Sequence, residues 1–149
     1  MPGQHFRAGV VAVVTRDDGL ILAFERSESP GQWQLPQGGL LEGERPVDGA
    51  WRELSEETGL GVDDVRLVDE YPFWISYEWP EELRVRRGAE LRIGQTQRWF
   101  FFRPLREKLP IVPDGDEFCD WRWVTREWLV AQVWDFRRVV YEQVLGARR

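Results

Sequence analysis

The 149-residue sequence predicts an α/β fold in which a mixed β-sheet lies between helices on both faces. Three observations predict it. Short apolar runs rich in β-branched and aromatic residues recur between turn signals; one amphipathic helix with clear start and stop residues interrupts them early; two shorter helical patterns follow the last strand. The length suits one domain spanning 1–149, with a single sizeable core.

In chain order, "GVVAVVTRDDGLILAFER" reads as a β-hairpin, with runs 10–15 and 20–25 around the turn signal Asp17-Asp18-Gly19. His5 precedes it in what reads as a loose N-terminal tail. The Gly-, Pro- and Ser-rich "SESPGQWQLPQGG" is a loop anchored by Trp33 and Leu35. A helix follows, with Pro46 near its first position, Val47, Ala50, Trp51, Leu54 and Thr58 at helical spacing, and Gly59 as its stop. Residues 65–78 hold one or two strands, 96–105 a long buried strand, and 120–125 an alternating one. Thr125 and Asp135 are the expected N-caps of helices over 126–132 and 136–145. Trp33, Trp99, Trp121 and Trp123 fall at strand-like positions and are expected in the core.

Composition excludes several chemistries. Cys119 is the only cysteine and His5 the only histidine, so an internal disulfide, a Cys-rich zinc site, a Cys-His pair and a credible Ser-His-Asp triad are all ruled out. An enzyme built from this sequence must work with carboxylates and arginines, and with a hard, oxygen-preferring metal ion. The net charge of −6 argues against bulk attraction to nucleic acid, so DNA is not an expected partner. No run approaches the roughly 18 apolar residues of a membrane span, and the N-terminus lacks a secretory pattern; the cytoplasm is the expected compartment.

Charge is unevenly distributed. Residues 42–70 carry ten acids against three arginines, whereas residues 84–108 carry seven arginines and one lysine against two acids. An acidic pole and a basic strip can hold a metal ion and a polyphosphate side by side; as isolated runs both are also compatible with solvated faces. Glu53, Glu56 and Glu57 stand at i, i+3 and i+4, on one side of the helix beside Val47, Ala50 and Leu54. Like charges at that spacing repel, and a divalent cation would offset the repulsion. Arg52 lies four residues before Glu56 and can pair with it. Gly38 and Gly39 allow close backbone approach, so that a carbonyl could add a neutral ligand. A solvated acidic helix would explain the glutamates but not the glycines.

The stretch Gly38 to Leu60, "GGLLEGERPVDGAWRELSEETGL", resembles the Nudix box, whose fixed positions are all met by Gly38, Glu44, Arg52, Glu53, Leu54, Glu56, Glu57, Gly59 and Leu60. With "WQLPQGG", "IGQTQRWFFF", "EFCDWRWV" and "VWDFRRVVY", the chain resembles the branch holding bacterial RNA pyrophosphohydrolases and plant-type diadenosine tetraphosphate hydrolases. The resemblance implies an α/β/α sandwich and a hydrolase that cleaves phosphoanhydride bonds with two or more Mg²⁺ or Mn²⁺ ions. It implies that Glu53 and Glu57 are metal ligands, Glu56 a ligand or general base, the Gly38 carbonyl a further ligand, and Glu117 in "GDEFCDW" a late contributor to the same cluster. Arg52 and Glu44, with Gly39 beside them, are the implied supporting set.

The implied substrates are dinucleoside polyphosphates, with diadenosine tetraphosphate giving ATP and AMP, or triphosphorylated RNA 5′ ends. A house-cleaning nucleoside triphosphate pyrophosphohydrolase and a non-catalytic nucleotide or RNA sensor on the same fold are the alternatives. Arg26, Arg98 and Arg137 match or adjoin positions that contact 5′-phosphates in this branch, a role suited to guanidinium groups. Tyr77 and Phe136 are the candidates for stacking on a base. Thr96 stands where the RNA-processing relatives are expected to carry a basic residue.

Overall fold

A computed structural model describes residues 3–146. Nine strands, three α-helices and one short 3₁₀ turn (Glu81–Leu83) follow one another among these residues. The strands are β1 (Gly3–Val14), β2 (Ile21–Arg26), β3 (Trp33–Gln34), β4 (Gln37–Gly39), β5 (Val65–Glu70), β6 (Ile75–Glu78), β7 (Val85–Arg87), β8 (Glu90–Pro104) and β9 (Phe118–Val124); the helices are α1 (Pro46–Thr58), α2 (Arg126–Gln132) and α3 (Asp135–Gly146). A six-stranded mixed sheet has the order β4-β1-β8-β5, with β6 and β7 also pairing β8, and a three-stranded sheet has the order β3-β2-β9. Among the described residues only the β1/β8 pairing is parallel.

The two faces of the central strands build two cores. Val10, Ala12, Val14, Phe100 and Phe102 pack with Ala50 and Leu54 of α1. Val11, Val13, Trp99 and Phe101 pack with Leu129 of α2 and with Val140, Tyr141 and Val144 of α3. Period-2 alternation thus sends neighbouring residues of one strand to helices on opposite sides, which is why β1 reads as a continuous apolar run.

The helix boundaries follow their local signals. Pro46 opens α1, and Gly59 closes it at φ 77°, in the left-handed region where a side chain would be strained. The Thr125 side chain accepts the Trp128 N–H at the start of α2. Asp135 is itself the first residue of α3 and pairs with Arg138 at 3.0 Å.

Three expectations are corrected. The two runs around Asp17-Asp18-Gly19 are strands, yet not a hairpin: β1 spends its two edges on β4 and β8, so β2 pairs with β3 and β9, and a single bridge, Thr15 to Ile21, joins the runs. His5 is not in a loose tail, because the first half of β8 gives β1 a lateral partner back to Gly3; His5 lies 3.4 Å from Glu90. Trp121 is 37% exposed, since β9 is an edge strand with β2 alone beside it, whereas Trp33 and Trp99 are buried as expected. No helix among the described residues is long and apolar enough to cross a membrane.

Candidate active site

Helix α1 brings its glutamates to β4, at the margin of the sheet. Glu53 and Glu57 are buried on the side facing the strand, while Glu56 is largely exposed. Gly38 is required by this approach, because a Cβ there would collide with the Glu53 carboxylate. The Gly38 carbonyl oxygen lies close beside Gly9 of β1. The Gln37 N–H donates to Glu57 Oε2 at 3.1 Å, tying the second glutamate to the same strand.

Arg52 organises the near side. Its Nε and one terminal nitrogen donate to the two oxygens of Glu44 at 2.8 and 2.9 Å, a bidentate pair. The same guanidinium reaches Glu53 at 2.8 Å, Glu56 at 3.3 Å and the carbonyl of Gly39 at 2.9 Å. The Arg52 guanidinium holds the Glu44 carboxyl down at about 2. Arg52 therefore links the loop after β4 to α1 while fixing one Glu53 oxygen.

Glu57 has no such partner. Burial, followed by the charge of Glu117 and by contact with Glu53, pushes its carboxyl far above the ordinary carboxylate range. Glu117 arrives on the loop before β9, and the structure brings it beside Glu57 of the helix. Among the described residues neither Glu57 nor Glu117 has an ion-pair partner, and no three carboxylates already stand as a finished metal cage. Three crowded acid groups, one of which favours its neutral form, match the donor chemistry of a hard divalent cation, which would take the place of the proton that Glu57 favours. The residues fit such an ion, with Glu53, Glu57 and Glu117 as the groups able to hold it.

Next to this acidic centre is a basic one. Arg26, at the end of β2, donates to Gln34 Oε1 at 2.8 Å, and Arg137 of α3 donates to the same oxygen. Both guanidiniums lie over the Trp134 ring, at 4.6 and 5.4 Å from its centre, and Arg137 also lies 5.3 Å from the centre of Phe136. Neither arginine has a carboxylate ion pair among the described residues, and the Nε of each is buried without a partner. Burial, then the nearby Arg137 charge, lowers the Arg26 pKa. Arg26, Glu28, Asp116 and Glu117 line a cavity of about 310 Å³, so the acidic and basic centres meet at Glu117 and Arg26.

The remaining candidates divide. Phe136, beside Arg137, stacks on Tyr77 with ring centres 6.0 Å apart, and Tyr77 lies buried in the core with its hydroxyl accepting the Gln95 amide at 3.1 Å, so of the two rings Phe136 adjoins the arginine pair. Arg98 is elsewhere. It shares its face of β8 with Phe100 and Phe102, on the α1 side, and is held by Glu70 at 2.6 Å and by the Trp74 ring. Thr96 lies on that face too, so a basic residue there would project away from Arg26 and Arg137. Sequence reasoning missed Gln34 and Trp134. Gln34 sits in a two-residue strand with no periodicity, and its only signal is its place in "WQLPQGG".

Comparison with known proteins bears on the family and the fold. A family model described as the NUDIX domain matches residues 5–144. The chain is 42% identical over 147 residues to a protein of Cereibacter sphaeroides named RNA pyrophosphohydrolase, covering 97% of this chain and 91% of that one. It is 35% identical to Nudix hydrolase 26, chloroplastic, of Arabidopsis thaliana, covering 98% of this chain and 70% of that one. The fold matches the solved structure of the E. coli dihydroneopterin triphosphate pyrophosphohydrolase at a TM-score of 0.75 and 23% identity, over 95% of this chain and 98% of that one.

Proposed function

Since the chain belongs to the Nudix hydrolase family, we propose that it is a divalent-metal-dependent pyrophosphohydrolase whose substrate is a triphosphorylated RNA 5′ end. The observation that carries this reading is the meeting of two oppositely charged centres where Glu117 and Arg26 line one cavity with Glu28 and Asp116: Glu117 belongs to the carboxylate group with Glu53 and Glu57, and Arg26 shares Gln34 with Arg137. A bound divalent cation supplies neutralisation of phosphate charge at the carboxylates. The chain's own groups do the rest. Arg26 and Arg137 bind the anionic phosphate chain, Trp134 and Phe136 flank them with flat apolar surface for a base, and Arg52 with Glu44 holds Glu53 in place. A member of the group Glu53, Glu56, Glu57 and Glu117 takes the proton of the attacking water. The name carried by the 42% identical relative supports the RNA end as substrate.

Dinucleoside polyphosphates are the second reading, because the same adjacency of charges suits any phosphate chain ending in a nucleoside. Incubation with Mg²⁺ and, separately, 5′-triphosphorylated RNA and diadenosine tetraphosphate, followed by chromatography of the products, decides between them. Conversion of RNA to its 5′-monophosphate at the higher kcat/KM is the expected outcome. Faster release of ATP and AMP from the dinucleotide would establish the second reading, and binding of both without turnover would leave a sensor.

A further inference from the structure

Glu57 and Glu117 belong to segments far apart in the chain, and their spacing has to be set by something. We infer that Asp114 is the positioning residue that sets it, an assignment that rests on the metal-dependent reading above.

Asp114 works in two directions. Its Oδ1 accepts three consecutive backbone N–H groups, from Asp116 at 3.1 Å and from Glu117 and Phe118 at 3.0 Å each. Its own N–H donates to the carbonyl of Glu57 at 3.2 Å, in the last turn of α1. One residue therefore grips the backbone of Glu117 with its side chain and the backbone of Glu57 with its main chain. Neighbouring bonds hold both ends of this connection. The Val112 N–H donates to Thr58 O at 2.9 Å, the Gly115 N–H donates to Phe118 O at 3.0 Å, and the Glu117 carbonyl accepts the Ser27 N–H at 2.9 Å. Phe118 is fully buried and stacks on Phe24 with ring centres 5.1 Å apart, so the loop has a fixed floor. With backbone held on both sides, the Glu117 side chain is presented to Glu57. Without the Asp114 acceptor, three adjacent N–H groups lose their common partner and the loop that carries Glu117 is free to part from the helix. Removal of an outer partner of this kind typically costs about 10- to 100-fold in metal affinity or activity.

The test compares wild type with Asp114→Ala and Asp114→Asn, since asparagine keeps the Oδ1 acceptor and drops the charge. Three quantities are read: Mn²⁺ affinity by calorimetry, kcat and KM on triphosphorylated RNA, and hydrogen exchange of the Asp116, Glu117 and Phe118 amides. Asp114→Ala is expected to weaken Mn²⁺ binding about 10-fold or more and to lower kcat by about 10- to 100-fold with little change in KM. Its three loop amides exchange faster while those of β1 and β8 keep their protection. Asp114→Asn is expected to restore all three quantities to near wild type. If Asp114→Ala does not fold, Asp114→Ser takes its place, with a shorter and weaker acceptor. Wild-type Mn²⁺ affinity and loop protection in the alanine variant would overturn the assignment, as would equal impairment in the asparagine variant. A wild-type protein that binds Mn²⁺ but turns over no substrate would overturn the functional reading alone and leave the binding comparison to decide Asp114. A wild-type protein that binds no Mn²⁺ overturns both.

Discussion

Gln34 shows how much one neutral side chain can decide. Its single oxygen orients two guanidiniums without cancelling their charge, in a place where they have no carboxylate ion pair among the described residues. Gln34→Glu should convert an anion receptor into an internal ion-pair cluster. Steady-state kinetics should show KM rising on the order of 10-fold or more with a smaller change in kcat, and thermal melting should show the fold retained. Glu57 presents the opposite case, a carboxyl whose ionisation the fold opposes. Because its pKa is raised above the ordinary 4.5, ionisation costs the metal-free protein stability that is progressively lost as pH rises above that value. Glu57→Gln should therefore melt at a higher temperature than metal-free wild type at about pH 8, with the difference vanishing near pH 4.5. The same variant should lose turnover by several orders of magnitude. Near-normal rates would remove Glu57 from the reacting group.

At the scale of elements, the join between β4 and α1 depends on the Glu44–Arg52 pair. Glu44 is only 13% exposed and its pKa is depressed from 4.5 to about 2, so its contribution is fully present above about pH 4.5 and is lost as pH falls toward 2. Glu44→Gln should cost on the order of 2 kcal/mol at neutral pH after allowance for solvent screening, and denaturant titrations of variant and wild type should converge as the medium is acidified. At the other end of the helix, Gly59→Ala should cost about 1 kcal/mol from backbone strain. The Cβ has room, with nothing nearer than 3.7 Å, so a larger loss would point to another cause. These element ends were legible in the sequence because proline, glycine and a capping threonine act within one helical turn. The pairing of β1 with β8 in place of β2 was not. Local alternation specifies that a strand is buried on both faces, but which strands occupy its two edges depends on segments far away.

For the whole molecule, the opposed centres make stability depend on metal. Chelation with EDTA should lower the Tm of wild type and added Mg²⁺ should raise it, following the usual dependence on ligand concentration over Kd, whereas Glu57→Gln should respond weakly. An unchanged Tm across a wide Mg²⁺ range would argue against a cation at these carboxylates. By itself the sequence determined the acidic helix, its caps, the spacing of Glu53, Glu56 and Glu57 and the family they point to, because all of these lie within 23 consecutive residues and obey one helical period. Only the tertiary structure decided that Glu117 meets Glu57, that Arg26 and Arg137 converge on Gln34, and that Arg98 faces the other side of the sheet. The Arg137–Gln34 contact joins residues 103 positions apart. No local period encodes such a contact; it follows from which strand edges pair and which helix covers each face, and those are set by burying two cores at once.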